Sequence, residues 1–282
     1  MLVPVAVMFA QALMSLVIMS CTSASVVTAT FLADLVLSVL AVAMLRGTGG
    51  ASRPTSGSRA NLAIVAGLVA LVACAWAFGQ TWSNWQRATF PEQAYESYYD
   101  TGVDEVALVP MSLVLFVMAP MCEELCYRGV SRHVMRSVGI GPVTCAIVTS
   151  LVFAVNHGTL THLVPTALLG LASSAVVETT GDVRASIAAH MGYNVASAFV
   201  YPVIAFPEGD AALVVGSVGC VVVATVSLVA CRRNDSWHAG SHEAAESVEE
   251  VSDGTEEAQR RQAEVNPHDI AGAAGEDAEG QA

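Results

Sequence analysis

Eight apolar stretches, each near the length that crosses a bilayer, recur along residues 1–231 and leave few folds open to this chain. They are Leu2–Met19, Val26–Leu45, Leu62–Gly79, Val106–Cys122, Ile140–Val155, Leu163–Val177, Ala185–Phe206 and Ala211–Cys231. Backbone groups in lipid must bond internally, and the alternating ten-residue segments of a barrel are missing. The expectation is an all-α fold: a polytopic transmembrane helical bundle of about eight helices, with a disordered acidic C-terminal tail. The fifth and sixth stretches are short, which predicts a tilted or broken segment lodged inside the bundle. At 54% hydrophobic and 13% charged residues, the chain is too apolar for an ordinary soluble domain. No basic residue precedes the first stretch and a second follows almost at once, so Leu2–Met19 is read as a retained helix.

The formal charge of −13 divides unevenly along the chain. From Arg232 onward there are thirteen acidic residues against four arginines, interleaved with Ala, Gly, Ser and Gln. Such a segment lacks the apolar surface to order itself. Its acidity argues against nucleic acid or anionic lipid as a partner. All twelve basic residues are arginine, and three of them (Arg46, Arg53, Arg59) fall between the second and third stretches without an acid. The 80–105 region has one arginine and five acids. Cytoplasmic loops collect basic residues, which places the first loop inside, the second outside and both termini in the cytoplasm of a multi-pass cell-membrane protein. The outer loop is expected to carry Trp82, Trp85, Phe90, Tyr95, Tyr98 and Tyr99 as interfacial anchors.

At the end of the fourth stretch stand Glu123, Glu124 and Arg128, at or near bilayer depth. An ionisable group at the centre of a membrane helix costs about 2.5–3.5 kcal/mol on insertion scales, so such residues mark function. Residues four apart share a helix face, which pairs Glu124 with Arg128. Glu123 is turned about 100° away, onto another face, and stays free for proton transfer. His157 follows Phe153 by one turn, and Gly158 ends that helix. His190 and Asn194 also lie one turn apart, two donors on one face able to bind an oxyanion or hold a water. Asn156 and His162 are read as helix-end groups, and Asp34 as a lone acid without a partner. The seven cysteines are scattered through apolar segments and read as packing residues. Cys122 and Cys126 flank the acid pair but lack zinc spacing.

In order, the pairs form EExxxR (Glu123, Glu124, Arg128), FxxxH (Phe153, His157) and HxxxN (His190, Asn194). Together with Gly129 after the arginine and Leu169-Gly170-Leu171 between the second and third motifs, they resemble the CPBP intramembrane proteases. That family holds the type II CAAX prenyl endopeptidases and bacteriocin-immunity proteins. The resemblance covers about residues 105–205. It divides the chain into N-terminal helices with an aromatic, acidic loop (1–104), a catalytic-like core (105–205), a last helix (206–231) and the tail (232–282). One departure is Cys126-Tyr127, where phenylalanine commonly precedes the arginine; tyrosine keeps the ring.

The resemblance implies an intramembrane endopeptidase, similar to CAAX prenyl protease 2, acting on a membrane-associated protein or peptide. Glu123 and His157 would activate a water, His190 and Asn194 would stabilise the oxyanion, and Glu124, Arg128 and Phe153 would support them. No cofactor is expected, because no HExxH spacing sets two ligands and a base on one helix. In the zinc alternative, Glu123, His157 and His190 would be the ligands. Two other classes stay open: a non-enzymatic immunity or scaffold protein of the same family, and a transporter. No pair of interrupted, repeated segments favours transport. The lysine-free composition points to a GC-rich bacterial genome, where a peptide precursor or membrane protein fits better than a prenylated one. One tension concerns depth. A straight fifth helix would carry His157 away from Glu123, unless the Glu123 helix continues past the membrane boundary or the fifth segment starts deeper.

Deleting Asp235–Ala282 is expected to leave membrane accumulation unchanged, because the segment has too little apolar content to pack. Quantitative immunoblotting of membranes containing full-length and truncated protein checks this.

Overall fold

A computed structural model describes residues 2–22, 25–48, 62–91 and 111–232. Among these residues there are eight helices and no strand, as expected for an all-α bundle. They are α1 (Val3–Cys21), α2 (Val26–Gly47), α3 (Leu62–Thr89), α4 (111–137), α5 (Pro142–Asn156), α6 (Leu160–Thr180), α7 (183–203) and α8 (Gly209–Arg232). Five of them, α1, α2, α3, α6 and α8, are long and apolar enough to cross a membrane, so this is a multi-pass membrane protein. The described helices belong to one unit, Met1–Asp235. The acidic tail lies outside the described residues.

Local chemistry sets where the helices begin and end. Ser25 and Thr159 cap α2 and α6 by accepting from the Thr28 and His162 amides. Proline in the first turn suits α1 and α5, where the missing N–H has no intrahelical partner in any case. Gly158, with φ +68°, turns the chain out of α5, a left-handed conformation that a side chain would oppose.

Packing centres on α6. Two thirds of its span-length window (67%) is buried, against 28% for α2 and for α8, so α6 is the core helix. It lies along α3 on one side and α5 on another. Leu71 and Ala75 of α3, Ala146 of α5, Leu168, Ala172 and Ala175 of α6, and Val223 of α8 form one apolar cluster. A second joins Leu37, Ala41 and Leu45 of α2 to Cys122, Leu125, Cys126 and Val130 of α4. Cys122 and Cys126 thus pack as expected. Exposed valines such as Val214, Val218 and Val221 cover the outside of α8, a surface that suits acyl chains and not water.

Three boundaries differ from the hydropathy reading. α3 runs to Thr89, ten residues past the expected Gly79, so Trp82 and Trp85 belong to a helix and not a loop. Hydropathy ends at Gln80, but the bundle satisfies the polar residues that follow. Ser83 donates to the Thr161 carbonyl, Gln80 to the Ser197 hydroxyl, and Arg87 to Asn84 and Tyr201. Tyr95, Tyr98 and Tyr99 lie outside the described residues. The sixth segment is not short: with its Thr159 cap and polar ends it reaches 21 residues, while α5 keeps its expected shortness at 15. The Glu123 helix also continues to Ser137, fifteen residues beyond the expected Cys122.

α4 is no uniform α-helix. Wider π-turns occupy Val114–Met118 and Leu125–Ser131, on either side of Ala119–Glu124. Pro120 accounts for the first. In this i to i−5 register the Ala119 amide reaches the Val114 carbonyl, and Pro120 has no N–H to offer the Leu115 carbonyl that comes next.

Close helix approach makes Gly79 sensitive. An added β-carbon there would lie 3.1 Å from the Pro165 backbone of α6 and from the Tyr193 hydroxyl of α7. Gly79→Val is expected to destabilise the bundle by about 1–3 kcal/mol through overpacking, read as a lower melting temperature in detergent.

Candidate functional site

α4, α5 and α7 bring the three sequence motifs to one aromatic centre. Phe153, fully buried, is its hub. Its ring meets His157 at 4.8 Å, His190 at 5.7 Å and Tyr127 at 5.6 Å between centroids, each steeply tilted. The Arg128 guanidinium lies 4.9 Å over the same ring. Edge-to-face contacts and a desolvated cation over a ring are each attractive, at about 0.5–2 kcal/mol. One apolar side chain therefore sets the spacing of two histidines and an arginine. His157 and His190 share this centre and do not lie on opposite membrane faces.

The two glutamates divide as their spacing requires. Glu124, fully buried, accepts from Arg128 Nη1 at 3.3 Å, the expected four-residue pair. The same oxygen accepts from His190 Nδ1 at 3.0 Å, a contact across helices that the sequence did not disclose. A carboxylate bonded to Nδ1 fixes the tautomer and turns Nε2 toward the rest of the site. There Nε2 stands 3.7 Å from Glu123 Oε2, too long for a direct hydrogen bond and suited to one through a water. Glu123 is turned away from Arg128, and no described hydrogen bond holds its carboxyl.

His157 sits at the end of α5, where its Nδ1 lies 2.9 Å from the Phe153 carbonyl. A carbonyl only accepts, so Nδ1 carries the proton and Nε2 presents a lone pair. Asn194 is placed differently from the rest: its amide donates to the Leu115 carbonyl at 2.8 Å. That carbonyl lies in the first π-turn, where Pro120, five residues on, has no N–H to give it. Asn194 keeps a second N–H. Glu123 and His190 therefore face each other, His157 joins them across Phe153, and Asn194 is tied to α4 backbone.

Several contributors escaped the sequence reading. Asp34 has a partner after all, since Gln11 Nε2 donates to its Oδ1 at 2.9 Å. Asn156, read as a helix-end group, donates to Gln11 Oε1. Glu178 near the end of α6 is buried and pairs with Arg132. Its signal was an acid next to an apolar run. Gly170, noted only as part of a motif, leaves room for the arginine: a β-carbon there would lie 2.7 Å from Arg128 Nη2 and 2.8 Å from Ser150 Oγ. His162 behaves as a helix-end group, with its Nδ1 on the Thr159 hydroxyl. Among the described residues no group of three His, Cys, Asp or Glu side chains is placed to hold a metal ion.

Residues 105–196 match the family described as type II CAAX prenyl endopeptidase Rce1-like. The resemblance to the CPBP intramembrane proteases therefore holds over the segment that carries all three motifs. No curated protein and no solved structure matches the chain.

Removing one member of a buried ion pair leaves the other charge uncompensated, at a cost of about 3–5 kcal/mol. Glu124→Gln and Arg128→Ala are expected to lose stability on that order, whereas Glu123→Gln melts near the wild-type temperature. Thermal unfolding of the three variants in one detergent checks the difference.

Proposed function

We propose that this protein is an intramembrane endopeptidase that hydrolyses a peptide bond of a membrane-associated protein or peptide with an activated water. The observation that carries this reading is the gap of 3.7 Å between Glu123 Oε2 and His190 Nε2, with His157 against the same Phe153 ring as His190. Glu123 takes a proton from water held in this space, and His157 Nε2 accepts a second hydrogen bond from the same water. The hydroxide formed adds to the scissile carbonyl. The unused N–H of Asn194 supplies a hydrogen bond to the resulting oxyanion, as does His190 from Nε2 when its ring carries a proton on both nitrogens. Glu123 then returns the proton to the amine as the C–N bond breaks. Glu124, Arg128 and Phe153 hold these groups in place, because a shift of 1 Å costs about 100-fold in rate.

The apolar surroundings exclude bulk water and strengthen each of these interactions. Both termini and the Arg132–Arg136 end of α4 are assigned to the cytoplasm by the arginine distribution. The substrate is a protein or peptide within or at the bilayer; the lysine-free composition favours a precursor peptide or membrane protein over a prenylated one.

The test is a comparison of membrane proteomes from cells expressing wild type and Glu123→Ala at equal levels. One or more membrane-associated polypeptides are expected to be shortened only with wild type. Glu123→Gln is expected to lower cleavage of that substrate at least about 100-fold, in the range of losing a general base. Identical proteomes would favour the binding or immunity reading.

A further inference from the structure

Asp34 is a carboxyl in the middle of α2, fully buried in a helix that otherwise reads as lipid-compatible. A hydrogen bond between helices adds little to stability in a bilayer, while an acid at that depth is costly to insert. Stability is therefore a poor account of it. Its surroundings are more informative. Gln11 on α1 donates from Nε2 to Asp34 Oδ1 at 2.9 Å, and its own Oε1 accepts from Asn156 Nδ2 at 3.4 Å. The Cys122 thiol lies beside the same Asp34 carboxyl. Asn156 immediately precedes His157, and Cys122 immediately precedes Glu123.

We propose that Gln11 and Asp34 are positioning residues that fix the separation of Glu123 and His157. The bracket runs from the neighbour of one to the neighbour of the other. An amide suits the middle place, because it donates toward the acid and accepts from the asparagine at once. The two helices that supply it lie outside the 105–196 match, so the N-terminal helices complete a site whose reacting groups they do not contribute. The inference rests on the proteolytic reading for its kinetic consequence but not for its geometry.

The experiment uses full-length protein in detergent and the substrate found by comparing wild type with Glu123→Ala. Asp34→Ala and Gln11→Leu are expected to lower kcat about tenfold or more, with KM and melting temperature little changed. Asp34→Asn, whose carbonyl still accepts from Gln11, retains most of the turnover. Wild-type kcat in Asp34→Ala overturns the proposal. So does an equal loss in the Asn and Ala variants, or a loss that only follows the melting temperature. A second readout needs no substrate: modification of histidines by diethyl pyrocarbonate, located by mass spectrometry. His157 is expected to react several-fold faster in Gln11→Leu and Asp34→Ala, with His133 unchanged as the internal control. An unchanged His157 rate overturns the bracket. If wild type and Glu123→Ala leave identical membrane proteomes, the proposed function fails by itself and this rate alone decides the bracket.

Discussion

The pairing of Glu124 with Arg128, both buried, is the constraint on which the rest of the core depends. Neither charge tolerates this depth alone, so the structure must keep them together. Phe153 lies under the guanidinium, Gly170 gives it room, and His190 takes the second bond to the carboxylate. Those three partners come from α5, α6 and α7, while the pair itself belongs to α4. A single ion pair therefore draws four helices to one point, in a bilayer where apolar packing distinguishes poorly between helix neighbours and lipid.

The same arrangement separates duties between adjacent glutamates. Consecutive residues on a helix cannot share a face, so neutralising one leaves its neighbour turned to a different environment. Glu124 is held by an arginine and a histidine. Glu123 faces the far nitrogen of that same histidine across a gap wide enough for water. Charge compensation and chemical availability are thus carried by neighbouring positions, and His190 connects them.

Much of this was legible in the sequence because it depends on periodicity. Span-length apolar runs gave the helices, and four-residue spacing gave Glu124 with Arg128 and Phe153 with His157. What the spacing could not show is contact across helices. The bond from His190 to Glu124 spans 66 residues and that from Asn156 to Gln11 spans 145. Asp34 looked solitary because its partner lies on another helix. The end of α3 was misplaced for a related reason: hydropathy scores Gln80, Ser83 and Arg87 as water-facing, whereas neighbouring helices supply their hydrogen bonds. Asn194 shares a helix with His190, one turn on, but its bond depends on a carbonyl that only the π-turn before Pro120 leaves open.

That π-turn makes chain length itself a determinant of the site. A π-turn accommodates one residue more than the α-helix would in the same rise, and each residue of an α-helix rotates the next by about 100°. Removing any one residue between Val114 and Met118 could heal the turn into regular helix without altering a single residue of the motifs. The part of α4 before the turn would then face the bundle with the same groups only if the part after it rotated. Glu123 and Glu124 would swing away from His190, and Glu124 would carry Arg128 with it. Within this helix, spacing matters to the chemistry as much as residue identity does: the five residues before Ala119 act as a phase setting for the acids that follow.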